Sequence, residues 1–123
     1  MSKKMTIKWL AGSAAHDFPA ARSYLSLIYP TRTAAAMVRR LRRARASHFK
    51  AKDIFRASGL SLLGVSSAHV ERYRKRIRAG HGLSPLLLIR TPAAGPVILA
   101  DGYHRLCAVY AMDEDAEIPC RIV

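Results

Sequence analysis

The sequence predicts an α+β domain, a small mixed β-sheet flanked by helices and preceded by a helical hairpin. Three observations carry that expectation. Two amphipathic helical patterns fill residues 17–46 with a short connection between them. Over residues 47–123, apolar runs of strand type alternate with helical patterns. Half of the 123 residues are hydrophobic, enough for a modest core in one domain and too many for a disordered polycation.

Asp17 is a suitable N-cap for a first helix running to about Ile28, with Pro19 tolerated in its first turn. Phe18, Ala21, Leu25 and Ile28 fall near one face, with Tyr24 beside them, and Tyr29-Pro30 ends the helix. Thr31 or Thr33 opens a second helix reaching about Ala46. Ala34, Met37, Val38 and Leu41, with the stem of Arg45, form its inner stripe, and Arg39, Arg40, Arg42 and Arg43 its outer face.

From Ser47 the character changes. His48–Ala51 reads as a short strand, Lys52–Phe55 as a turn of helix, and residues 58–66 as a loop with buried apolar anchors. Ser67 caps a third long helix, about Ala68 to Ala79, with Val70, Tyr73 and Ile77 inward and Gly80 ending it. Pro85–Ile89 is a continuous apolar run, hence a central strand. A loop over residues 91–96, a strand over Val97–Ala100, a helix over Tyr103–Met112 and a strand over Ile118–Val123 complete the chain. This divides the molecule into a helical N-terminal extension, residues 1–46, and a sheet domain, residues 47–123.

The formal net charge is +13, and it is unevenly spread. Residues 1–100 carry 19 Lys/Arg against 3 Asp/Glu, a balance of +16, whereas residues 101–123 carry 2 against 5. The front of the molecule therefore suits polyanions, nucleic acid first, although charge also serves solubility. No apolar run approaches the ~18 residues of a membrane span. Met1-Ser2-Lys3-Lys4 resembles the start of a secretory signal, but Lys8 breaks the apolar stretch behind it, so a cytoplasmic protein is expected. Cys107 and Cys120 are the only cysteines and read as small buried residues. His104 and Cys107 stand at i, i+3, yet no second Cys/His pair accompanies them, so no zinc site is expected.

The sharpest chemistry lies where the run Pro96–Ala100 stops at Asp101-Gly102 and His104-Arg105 stand in the first turn of the next helix. Gly102 permits a sharp turn and a close ligand. The free N–H groups of a helix start, together with an imidazole and a guanidinium, make a phosphate cradle. Asp101 is a candidate to accept from His104, orient Arg105 or hold a metal carried by a nucleotide; its plain role is capping the turn.

The order of elements from about Phe49 to Val123, with the Gly102-Tyr103-His104-Arg105 turn, resembles the ParB/sulfiredoxin superfamily. In ParB partition proteins the equivalent turn reads G-E-R-R-x-x-A and holds nucleotide phosphates. In sulfiredoxin it reads F-G-G-C-H-R, with the Cys as nucleophile. Here Gly102, His104 and Arg105 match, while Tyr103 stands at the nucleophile position, and a neutral phenol cannot replace a thiolate. The resemblance also implies nucleotide contacts on the third long helix, where His69, Arg72 and Arg76 share one face at i, i+3 and i+7. The implied ligand is a nucleotide, ATP or CTP, with Mg2+ as companion ion. Any implied reaction is NTP hydrolysis or phosphoryl transfer. ParB's operator-reading helix-turn-helix has no counterpart up to Val123, so partition activity is not expected. No clustered carboxylates support two-metal nuclease chemistry.

Two function classes are therefore open. One is a nucleotide- or phosphate-binding domain using Gly102, His104, Arg105, His69, Arg72 and Arg76. The other is a non-enzymatic, sequence-independent module that binds DNA or RNA through Arg39, Arg40, Arg42 and Arg43.

Overall fold

All four residues from Leu86 to Ile89 are buried, because the sheet that holds them is covered by helices on both faces. The structure is a computed structural model and describes residues 6–62, 67–92 and 95–123. In chain order the elements are α1 (Asp17–Leu25), α2 (Thr31–Arg43), β1 (Ala46–Lys50), α3 (Ala51–Ser58), α4 (Ala68–Arg78), β2 (Leu86–Ile89), β3 (Ile98–Asp101), α5 (Tyr103–Met112) and β4 (Glu117–Ile122). The strands lie in the order β1-β4-β2-β3. β1 pairs antiparallel with β4, β4 parallel with β2, and β2 antiparallel with β3, so the sheet is mixed and β2 and β4 are interior.

Alternation along β2 divides the core in two. Leu86 and Leu88 join Leu99, Ile118 and Cys120 beneath α3, α4 and α5, where Ile54, Val70, Ile77 and Leu106 are buried. Leu87 and Ile89 face the other way, with Ala100, onto Phe18, Ala21 and Leu25 of α1 and Ala34, Val38 and Leu41 of α2. The helical hairpin of the N-terminal region is thus the layer covering the second face of the sheet. Its own packing against Leu87 and Ile89 explains why β2 carries no polar residue at all.

Several local expectations are corrected. Asp17 does not cap α1; His16 holds the N-cap position, and the Asp17 side chain is buried, accepting from Ala14 N–H at 3.2 Å. α1 stops at Leu25 rather than Ile28, because Leu27 and Ile28 donate to Tyr24 and Leu25 in tight i→i+3 turns that swing Ile28 out of the core, 47% exposed. α2 ends at Arg43 rather than Ala46, since Ala44 is extended and Ala46 already pairs with Arg121 in the sheet. The short strand accordingly runs over residues 46–50, and Ala51 opens a two-turn helix closed by Gly59 at φ +66°. Strand β3 and strand β4 are each displaced by one residue from the expected bounds. Leu60 and Leu62 are 40% and 48% exposed and do not anchor the loop after α3; the rest of that loop, residues 63–66, lies outside the described residues, as do Ala93 and Ala94.

One contact has no local signal in the sequence. The segment before α1 runs beside Leu83, with Leu10 N–H donating to the Leu83 carbonyl at 2.8 Å and Leu83 N–H to the Lys8 carbonyl at 3.0 Å. Ile7 and Trp9 pack against the α3/α4/α5 side of the core. Both cysteines are fully buried, as expected for small apolar residues. Among the described residues, no helix is long and apolar enough to cross a membrane.

Candidate functional site at the start of helix α5

β3 passes directly into α5 through Gly102, whose backbone lies at φ +108°. That conformation favours glycine, and the space demands it as well. A Cβ at Gly102 would stand 2.4 Å from Leu86 Cδ2 and 2.9 Å from Arg105 Nη2. The glycine therefore lets the Arg105 side chain fold under the turn, close against the main chain.

That inward course decides what Arg105 does. The residue is 5% exposed. Its Nη2 donates to Asp101 Oδ2 at 3.1 Å and to the Pro85 carbonyl at 3.3 Å, and its Nη1 lies 3.8 Å from Asp17 Oδ1. One guanidinium thus sits between two carboxylates and ties together α1, β3 and α5. Burial raises the Asp101 carboxyl above the ordinary carboxylate range; Arg105 opposes that rise and the neighbouring Asp17 adds to it. Of the roles open to Asp101, orienting Arg105 is the one the geometry displays.

The exposed part of the turn is formed by other residues. The His104 ring lies 4.8 Å from that of His69, centroid to centroid, and 5.5 Å from that of Tyr103. Arg72 Nη2 stands 3.5 Å from His69 Nδ1, the one-turn spacing on α4 bringing both to α5. Tyr103 is held by its hydroxyl, which donates to the Ser61 carbonyl. Burial, and then the charges of His69 and Arg72, lower the His104 pKa from its ordinary value. A cavity of about 380 Å³ opens beside this cluster, lined by Tyr24, Leu60, Leu99, Asp101, Gly102 and His104 among others.

Of the six residues expected to hold phosphate, then, Gly102, His69, Arg72 and His104 meet at the start of α5. Arg105 lies beneath the turn. Arg76 does not join the His69–Arg72–His104 cluster; it lines a cleft of about 100 Å³ with His16, Tyr73, Ser84 and the buried Arg105.

The basic helix behaves differently. Arg39, Arg40, Arg42 and Arg43 are all exposed on α2. Arg39 and Arg42 border a groove between α1 and α2 of about 590 Å³, together with Arg22, Ser23 and Ser26, whereas Arg40 and Arg43 lie outside its lining. The guanidinium carbon of Arg42 stands 4.4 Å above the centre of the Phe18 ring.

Two features are hidden in the sequence. The pairing of Asp17 with Arg105 is obscured by the suitability of Asp17 as a helix cap, although it is the only acidic residue among the first 52. Arg22 is unremarkable until the hairpin places it opposite Arg39 and Arg42. No protein-family model matches this chain, and neither the curated proteins nor the solved structures contain a match to it.

Proposed function

We propose that this protein binds phosphate-bearing ligands, nucleotides such as ATP or CTP, at the start of α5, in keeping with its resemblance to the ParB/sulfiredoxin superfamily. The single observation that carries the reading is the convergence of His104, His69 and Arg72 on the N-terminus of a ten-residue helix. Three groups able to carry positive charge meet here, with His69 against both His104 and Arg72, and the charges acting on His104 both oppose its protonation. An oxyanion placed among them relieves that repulsion, while the N–H groups of the first turn of α5 supply directed donors. Arg105 acts beneath this site as a positioning residue, fixing the turn from within. Asp101 is committed to Arg105, so Mg2+ arriving with a nucleotide would take its oxygens from the phosphates and from water.

The test is titration calorimetry with ATP, CTP, GTP and inorganic phosphate against the parent chain and the Arg72→Ala and His104→Gln variants. Each variant should weaken binding about tenfold or more, the loss expected for a charged hydrogen bond. Equal heats for the parent and a double variant overturn the reading.

A second reading, binding of nucleic acid without base readout, is favoured by one specific observation. The four arginines of α2 stand exposed in a chain of net charge +13. Its signature is a steep linear fall of log affinity with log salt concentration, and a flat salt response removes it.

A further inference from the structure

We infer that the groove between α1 and α2 is a single-strand nucleic-acid site in which Arg22, Arg39 and Arg42 take the phosphates and the Arg42 guanidinium takes a base. The inference rests on the nucleic-acid reading and adds to it a location, a strandedness and a residue from the opposite helix.

Helical spacing builds the groove. Phe18, Arg22 and Ser26 recur every four residues along α1 and the turn after it, and Ala35, Arg39 and Arg42 line the facing side of α2. The rim carries three guanidiniums and two hydroxyls; no carboxylate lines it. None of the three arginines is in an ion pair among the described residues, whereas Arg56, Arg74, Arg78 and Arg105 all are. A groove bordered by three unpaired cations is complementary to an anion. Below the rim lie Phe18 and Val38, core residues 8% and 5% exposed, with the Arg42 guanidinium standing over the Phe18 ring and Pro19 exposed at the edge. The flat surface left to a ligand is the side of the exposed Arg42 guanidinium away from Phe18, so a ligand that fits both rim and platform carries negative charge and a flat stacking face together.

Strandedness comes from shape. A duplex hides its base faces and presents a convex backbone, so it would meet the rim and leave the Arg42 platform unstacked. An unpaired strand can lay a base into the groove while its phosphates stay at the rim. The volume of about 590 Å³ lies within the range of sites that take small organic ligands, about 300–1,000 Å³. It has room for a nucleotide unit but not for a double helix. Arg42 is the platform, since its guanidinium carbon stands 4.4 Å above the Phe18 ring, a cation–π contact that favours this placement before any ligand stacks on it. The backbone beneath it is fixed too, because Arg121 Nη1 donates to the Arg42 and Ala44 carbonyls at 3.1 and 2.7 Å. Arg40 and Arg43 continue the positive surface along α2 outside the groove, which favours a strand passing through over an isolated nucleotide.

The experiment uses the full chain, a fluorescein-labelled oligothymidylate of twelve residues, a duplex of the same length and thymidine monophosphate as competitor, followed by fluorescence anisotropy at several salt concentrations. The single strand should bind about tenfold or more tighter than the duplex, the lower range of one base stack. Arg22→Gln should weaken single-strand binding several-fold and reduce the salt slope by about 0.7, one phosphate contact on a single strand. Arg40→Gln removes the same charge from outside the groove and should cost clearly less. Arg42→Lys keeps the charge and discards the planar fork, so it should abolish the single-strand preference while leaving the salt slope unchanged. Equal binding of strand and duplex overturns the inference, as does an indifferent Arg42→Lys, or competition by the mononucleotide at phosphate-equivalent concentration. In each of those cases salt-dependent binding itself would survive. Absence of binding to either oligonucleotide would remove the nucleic-acid reading as well.

Discussion

Replacing Arg105 with methionine should unfold this protein well before it reveals anything about ligands. Methionine keeps an unbranched, flexible body of comparable reach and removes only the charged head. In the parent, that head stands between Asp101, with its side chain 17% exposed, and Asp17, with its side chain 1% exposed. Without it, two carboxylates share a nearly dry site, and the Pro85 carbonyl loses a donor as well. Breaking a buried pair by deleting one partner typically costs about 3–5 kcal/mol, more than most single contacts, because the partner's charge stays behind. For a chain of this size, where 1 kcal/mol moves Tm by about 3–4 °C, the midpoint should fall by about 10–20 °C at neutral pH. The sign of the pH dependence is fixed too. Loss of the cation raises the folded-state pKa of Asp101 further above its unfolded value, so the folded form holds its proton longer. The deficit is therefore fully present above the raised pKa and fades as pH falls toward the ordinary value of about 3.9. Urea unfolding followed by circular dichroism at neutral pH and near pH 4 measures both effects. The triple variant Arg105→Met, Asp17→Asn, Asp101→Asn should recover most of the loss. A single variant within about 3 °C of the parent at pH 7, or a deficit that grows on acidification, would refute the reasoning.

Gly102→Ala combines a left-handed backbone with a Cβ set against Leu86 and Arg105, and should cost about 2–5 kcal/mol by thermal unfolding; a loss below about 1 kcal/mol would show that the turn can relax. His104, with its pKa lowered in the fold, binds protons less readily folded than unfolded. Stability should therefore fall as pH drops below the ordinary histidine value of about 6.5, and His104→Gln should flatten that slope; an NMR midpoint at or above 6.5 without ligand would contradict it. Burial pushes the Cys120 thiol up to about 12, so a thiol reagent at pH 8 should label it only after denaturant is added, and rapid labelling of the native chain would count against the packing described.

How far the sequence could be read depended on whether the governing contact was local. Leu86–Ile89 was legible as an interior strand because four successive apolar residues make sense only when both faces are covered. Ser67 was legible as a cap because its partner, Val70 N–H, lies three residues away. β1 was legible as a short strand near His48–Ala51 but not in its bounds, Ala46–Lys50: as an edge strand it buries none of its residues fully, and its pairing with β4 some seventy residues later sets where it begins and ends. The grouping of His69 with Arg72 came from helical spacing. The inward path of Arg105 did not, since it depends on a carboxylate in α1 that tertiary packing alone brings there. A residue with a good local role conceals its distant one, and Asp17 is the case in point.

The position of β4 has a consequence for how the molecule comes to exist. Glu117–Ile122, the last in chain order of the four strands described, is an inner strand, seated between β1 and β2. Until those six residues have left the ribosome, β1 has no neighbour and β2 offers an open, wholly apolar edge. The helices can form early, but the sheet they cover cannot close until then. Pairings of such long sequence separation are slow to form, and exposed apolar edges invite association with other chains. A chain interrupted before Glu117 would lack the middle of its sheet and should be recovered as aggregate. Swapping β4 to a position before β1 by circular permutation would be the direct way to make the centre available first.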